Sequence, residues 1–213
     1  MLKNKIDIAC LLMFFFNIFG STLLFFEPFK EIVLSLTPVN LLTVLFLFLW
    51  ANSNFSANLF KTISLIYIIG FLVEIIGVNS NILFGDYYYG QALGLKAFGT
   101  PLIIGVNWLT LSLATFGISL YVFRQKWLVV LFGAALMVVT DLIIEPLAGV
   151  LDFWYWSSGQ IPLQNYIAWF FISIIIQIIL IKGKLKFNTK LCFSLLLSQV
   201  AFFLMQYINH GII

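Results

Sequence analysis

Three acidic residues, Glu74, Asp141 and Glu145, sit inside long apolar stretches of a chain that has only eight Asp and Glu in 213 residues. A carboxylate at membrane depth is costly, so it marks a functional site by default. Asp141 and Glu145 are four apart, which places both on one face of a helix, one turn from each other. Pro146 follows directly and is expected to kink or end that helix. Two carboxyls this close in a low dielectric are not both readily ionised, so the pair is suited to keep one proton for donation. Tyr87, Tyr89, Trp108, Trp154, Trp156 and Trp169 lie near these acids in sequence, with Asn107 and Asn165. Acids among tyrosine and tryptophan suit acid chemistry on a greasy, electron-rich substrate.

The bland alternative is that the acids only hold helices together by hydrogen bonds. Ion pairing is disfavoured, because no Lys or Arg lies at matching depth inside an apolar run. Gln177, Gln199, Gln206 and Asn17 read as interhelical hydrogen-bonding residues. Glu27, Glu31 and Asp152 read as solvated, and Asp86 as a turn cap or a loop acid. Cys10 and Cys192 both fall in apolar runs, with no disulfide or metal spacing. The lone His210 lies near the C-terminus and reads as a solvated tail residue, which leaves little material for a metal centre or a Ser-His-Asp triad. There is no Gly-rich phosphate loop and no acidic pair spaced for a diphosphate-bound magnesium ion. No metal, nucleotide or other cofactor is expected.

The elements that must position these residues are spans. The chain is 62% hydrophobic and 9% charged, with a mean hydropathy of +1.10. Soluble domains carry about 25% charged residues. A net charge of +3 is too small to argue for nucleic acid. A span needs about 20 mostly apolar residues, and seven candidates fit: 6–26, 32–51, 61–78, 101–123, 127–147, 163–181 and 190–208. The first reads as a retained span rather than a signal peptide, since no small-x-small cleavage site follows it. The breaks are Glu27-Pro28, Asn52-Ser53-Asn54, Arg124-Gln125-Lys126 and Lys182-Gly183-Lys184-Leu185-Lys186. Continuous apolar runs lack barrel alternation, so the expected fold is an all-α polytopic bundle of about seven spans, one integral membrane domain over 1–213.

Alternate loops then divide the basic residues unevenly. Lys3, Lys5, Lys61, Arg124, Lys126, Lys182, Lys184, Lys186 and Lys190 share one face; only Lys30 and Lys96 take the other. The positive-inside rule makes the first face, and the N-terminus, cytoplasmic. The long loops 79–100 and 148–162 are then external and rich in Gly, Tyr and Trp, and the first is a candidate for re-entry into the membrane. At about 1.5 Å per residue, Glu74 and Asp141 come out roughly 20 Å from the inner face. Asn107, Trp108, Asn165 and Trp169 reach a similar level from the outer side, so four spans bring polar groups to the outer half.

At these residues the sequence resembles the membrane carotenoid-biosynthesis proteins that include the acyclic carotenoid 1,2-hydratases, among them the bisanhydrobacterioruberin hydratases. One signature reads Glu74, Gly77, Phe84-Gly85, Tyr87, Tyr89, Leu93-Gly94 and Gly99-Thr100-Pro101, followed by Trp108. The other reads Asp141-Leu142, Glu145-Pro146, Trp154, Trp156, Pro162-Leu163, Asn165-Tyr166 and Trp169. Together they cover 74–169. Three positions depart: Glu145 stands where Asp is common, Asp152-Phe153 replaces a Gly-aromatic pair, and Ala168 replaces Gly.

The resemblance implies an enzyme, a hydro-lyase that adds water across a terminal C1=C2 double bond of an acyclic carotenoid. Protonation of the alkene by a carboxylic acid gives a tertiary cation. Aromatic faces stabilise such a cation by about 0.5–2 kcal/mol each, and a carboxylate takes the proton of the attacking water. In this scheme Asp141 and Glu145 are the acid/base pair and Glu74 a third carboxylate that orients water or relays protons. Tyr87, Tyr89, Trp154 and Trp156 line the cation with Trp108 and Trp169 nearby, and Asn107 and Asn165 position water. The implied partners are the carotenoid, water, membrane lipid and other carotenoid-pathway enzymes; the implied setting is a bacterial or archaeal cell membrane. Two rivals use the same residues differently: a carotenoid or isoprenoid cyclase or isomerase, and a non-catalytic pigment or lipid binder. A retinal-binding seven-helix protein is disfavoured, because the last span has no internal Lys. Oligomeric state is not legible.

Overall fold

The computed structural model describes residues 4–52 and 56–212. In chain order these form α1 (Lys5–Leu23), α2 (Glu27–Ser35), α3 (Thr37–Asn52), α4 (Ala57–Ser80), β1 (Tyr87–Tyr89), β2 (Lys96–Ala97), β3 (Thr100–Pro101), α5 (Ile104–Val122), α6 (Lys126–Ala148), β4 (Trp154–Trp156), α7 (Leu163–Lys182) and α8 (Thr189–Asn209). Six helices are long and apolar enough to cross a membrane, and the α2–α3 pair, bent by 59°, makes a seventh if it crosses as one. The architecture is the expected all-α polytopic bundle, with little sheet.

The polar breaks between spans act as caps. Asn4 accepts from Asp7 N at 3.0 Å, Ser56 from Leu59 N at 3.1 Å and Asn188 from Lys190 N at 3.0 Å. Each supplies an acceptor that the first turn of a helix lacks. The Glu27-Pro28 break has a second role that the sequence did not suggest. Pro28 sits in the first turn of α2, where its missing N–H costs nothing. The run expected at 32–51 is therefore split, with the straight part beginning at Thr37. No residue of α2 is buried.

The central element is α5, buried on every side from Ile104 to Ser119 except at Asn107. Gly105, Ser112, Ala114, Thr115, Gly117 and Ser119 let α4, α6 and α8 approach it closely. Ser112, Thr115 and Ser119 donate to carbonyls one turn back, so each hydroxyl proton is satisfied within α5. Around α5, α1 packs on α8 and α6 on α7. Cross-helix bonds come from the expected amides: Asn17 Nδ2 donates to Ser198 Oγ, Gln177 Nε2 to Thr115 Oγ1, and Gln206 Nε2 to Ser21. Large apolar side chains such as Phe46, Phe60, Phe171 and Ile175 point outward, as spans in hydrocarbon require.

The two ends of the bundle differ. At one end Lys190 pairs with Asp7, Asn58 donates to Gly183 O, and Asn188 N donates to Asn52. This end carries the basic set, from Lys5 to Lys190; Lys3 and the break residues Ser53 and Asn54 lie outside the described residues. The other end carries Lys30, Lys96 and both long loops. His210 is half-buried there rather than solvated, and burial with nearby Lys30 holds its imidazole below the ordinary value.

Candidate active site

The two long loops are joined by an antiparallel ribbon. β1 pairs with β4 in the register Tyr87↔Trp156, Tyr88↔Tyr155, Tyr89↔Trp154. Strand side chains alternate between faces, so Tyr-Tyr-Tyr and Trp-Tyr-Trp each turn their outer two residues the same way. Tyr87, Tyr89, Trp154 and Trp156 face the bundle. Tyr88 and Tyr155 stack on the far side, with ring centroids 5.4 Å apart. The ribbon continues in backbone bonds from Gly90 N to Phe153 O and from Ser157 N to Asp86 O. Loop backbone brought against the bundle is thus paired, as a dry environment demands.

Asp152 locks the loops together and is not merely solvated. Its Oδ2 accepts from Gln91 N and its Oδ1 from Tyr155 OH, both at 2.8 Å. Its φ of 55° is a left-handed conformation that Gly adopts freely and Asp tolerates. This is the position where the signature has Gly. Asp86 is exposed, and only its carbonyl enters the ribbon.

The inward face of the ribbon presents four donors to two carboxyls. Glu74 lies six residues before the end of α4, about 9 Å along the axis. Its Oε2 accepts from Tyr87 OH and Tyr89 OH, each at 2.6 Å, and its Oε1 from Trp108 Nε1 of α5 at 2.8 Å. Glu145 lies near the end of α6. Its Oε2 accepts from Trp156 Nε1 at 2.8 Å and Trp154 Nε1 at 3.1 Å, and its Oε1 from Asn165 Nδ2 at 2.9 Å. Asn165, at the start of α7, also donates to Asp141 Oδ2 at 2.9 Å. One amide nitrogen therefore links Asp141 and Glu145, one hydrogen to each. Burial and the adjacent Glu74 carboxyl push the Tyr87 and Tyr89 hydroxyls up from the ordinary phenol value, so both stay protonated donors.

The third carboxyl differs from the other two. Asp141 is 1% exposed, and among the described residues its Oδ1 has no hydrogen-bond partner. α6 runs through Pro146 to Ala148 instead of stopping at the proline, which keeps Asp141 and Glu145 on one helix. A carbonyl of that turn, Ile143 O, accepts from Tyr207 OH at 3.0 Å.

Trp108 and Trp169 stack at 3.9 Å and form a closed wall behind Glu74. Between the carboxyls lies a cavity of about 20 Å³, bounded by Glu74, Glu145, Tyr87, Tyr89, Trp156 and Asn165. That is room for one water, which needs about 10–15 Å³ and two to four polar partners. Ile104 and Trp154 separate it from a second, apolar cavity of about 350 Å³. Asn107 lines this larger space and bonds to none of the carboxyls. The other residues singled out in the sequence converge. Phe84 and Ile104, which sequence reasoning passed over, complete the small cavity. Among the described residues no three His, Cys, Asp or Glu side chains gather closely enough to hold a metal ion.

Gly77 lets the first loop close on α4. A Cβ there would stand 2.4 Å from Phe84 Cδ2 and 2.9 Å from Tyr87 OH. Gly77→Ala is therefore expected to push β1 away from Glu74 and to destabilise by about 1–3 kcal/mol, as overpacking does. A thermal melt of the purified variant checks this, and a melting point equal to the parent's would refute the close fit.

A family model for carotenoid biosynthesis proteins matches residues 35–212. No curated protein and no solved structure matches the chain.

Proposed function

The chain belongs to the carotenoid biosynthesis protein family, and we propose that within it this protein is a hydratase of acyclic carotenoid ends. The observation that carries this reading is the one-water cavity walled by two acceptor carboxyls, with a third carboxyl, bare at one oxygen, joined to it through Asn165. Trp108, Trp154 and Trp156 can only donate. Glu145 therefore receives three bonds from groups that cannot accept its proton, and Glu74 receives one such bond and two from neutral tyrosines. Glu145 is thus arranged as an ionised acceptor, whereas the Glu74 tyrosines can accept as well as donate. Asp141 receives one bond and is the carboxyl with an oxygen free to carry a proton.

The roles follow. Asp141, as the carboxylic acid, gives its proton to the less substituted carbon of a terminal trisubstituted double bond. The π electrons form the new C–H bond and leave a tertiary cation. The indole faces and the Glu145 carboxylate stabilise that charge. Water from the small cavity attacks the cation, and Glu145 takes the proton it releases. Passage of that proton to Asp141, one helical turn away, restores the site, and the net change is alkene plus water to tertiary alcohol. Glu74 holds the ribbon and, with Tyr87 and Tyr89, orients the water. The basic end of the bundle is cytoplasmic in this reading, so the carboxyls lie in the outer half, near bulk water.

A cyclase or isomerase could use the same acid and aromatic faces, but either would have to keep water from the cation, and a polar space for water between the carboxyls favours hydration. Co-expression in a bacterium that accumulates lycopene or a C50 acyclic carotenoid, followed by mass spectrometry of the pigments, tests this. A pigment heavier by one water is expected. An isomer of unchanged mass would replace the hydratase reading with a cyclase or isomerase.

A further inference from the structure

The small cavity has room for one water, so any larger ligand must lie in the second cavity. Its volume of about 350 Å³ lies in the range of roughly 300–1,000 Å³ usual for small-molecule pockets. Its mouth is on the flank of the bundle: Phe15 and Phe19 of α1, and Leu36 and Val39 at the α2–α3 bend, line it and are each about half exposed. These are the surfaces of spans, which face hydrocarbon. A ligand entering here comes from the bilayer and is mainly apolar.

The inner wall is different, because Asn17, Asn40 and Gln199 line it from three helices. Asn17 is committed: its Nδ2 donates to Met13 O and Ser198 Oγ, and its Oδ1 accepts from Asn40 at 3.3 Å. Gln199, the neighbour of Ser198, is not. Gln206 bonds across helices as expected, but Gln199 is 6% exposed and its Oε1 is buried with no partner among the described residues. Buried amides are nearly always paired. A hydroxyl donates and accepts, so it satisfies this amide in either orientation. A hydrocarbon or acyl chain supplies nothing.

We propose that this cavity is a binding site for an isoprenoid alcohol, with the branched chain against Phe15, Phe19 and Phe203 and the hydroxyl on Gln199. The isoprenoid class rests on the proposed function; the hydroxyl rests on Gln199. Ile104 and Trp154 form a common wall with the carboxyl site, so the alcohol formed there and the alcohol bound here belong to one chemical class.

The test is equilibrium binding of radiolabelled farnesol to the full-length protein in lipid nanodiscs, with the hydrocarbon farnesene as competitor. Farnesol is expected to bind about five- to twentyfold more tightly, the worth of one hydrogen bond to a buried amide. Gln199→Leu is expected to equalise the two while still binding farnesene. A Cβ at Gly20, on the cavity wall, meets nothing within 4 Å, so Gly20→Phe fills the space and is expected to abolish both. Equal binding in the parent, as for an ordinary lipid chain filling the groove, overturns the proposal. So does a farnesol preference that survives Gln199→Leu. Binding is read without turnover, which separates the two readings. Hydration without a farnesol preference sinks only the alcohol site, and a farnesol preference without hydration sinks only the hydratase.

Discussion

An Asp141→Asn protein is expected to fold normally and to lose carotenoid hydration by about 10²–10⁴-fold, the usual range for removing a general acid. The substitution is close to isosteric. Asn165 Nδ2 still finds an oxygen to donate to, and an amide nitrogen takes the place of the bare Oδ1. One unpaired buried polar group replaces another, so stability is expected to shift by less than about 1 kcal/mol. The protonated acid is lost entirely, because an amide does not release a proton to an alkene. The readout is the hydrated fraction of extracted pigment per amount of folded protein, with a melting curve of the same preparation. Full activity removes Asp141 from the scheme. Lost activity with a collapsed melting point would make it a structural residue.

The acids were legible in the sequence because expensive residues stand out against 62% hydrophobic ones. The span pattern was legible for a similar reason: each break is a polar cap or a basic cluster, and both are visible without coordinates. What the sequence reading missed was the ribbon. The sequence reads Tyr87, Tyr89, Trp154 and Trp156 as aromatic surface for a cation, although clustered aromatics also favour strands. Three-residue strands lie below the length at which alternation is usually read, and a pairing between residues 67 apart on average is invisible to local patterns. The consequence is chemical. These aromatics act first through their polar edges, as donors to Glu74 and Glu145. Asn107 had the right depth and the wrong face, since depth follows from residue count and direction depends on how α5 is rotated by its neighbours. The α2–α3 bend was missed because one apolar run can hold two helices when a proline starts the first.

Glu145→Gln is expected to be far more damaging than Glu74→Gln, though both swap a carboxyl for an amide of nearly equal size. The difference lies in what their partners can do. Around Glu74, Trp108 can only donate, but the Tyr87 and Tyr89 hydroxyls can turn and accept. A glutamine there can keep its oxygen on Trp108 and donate its Nε2 to a tyrosine, so a loss of under about 1.5 kcal/mol is expected. Around Glu145 every partner donates: two indoles on Oε2 and the Asn165 amide on Oε1. A glutamine nitrogen must face one of these N–H groups. Turning Asn165 around relieves that clash only if the Asp141 proton moves to Oδ2 to meet the turned carbonyl, which ties up the acid itself. With Asn165 unturned, each unpaired buried donor costs about 1–3 kcal/mol, so a loss of roughly 2–5 kcal/mol is expected. At about 2–4 °C per kcal/mol for a chain of this size, the melting point falls by roughly 5–15 °C. Parallel melts of the two variants in one detergent measure the contrast. If Glu145→Gln proved as mild as Glu74→Gln, Asn165 would have turned onto a protonated Asp141, and hydration would be lost with no fall in melting point.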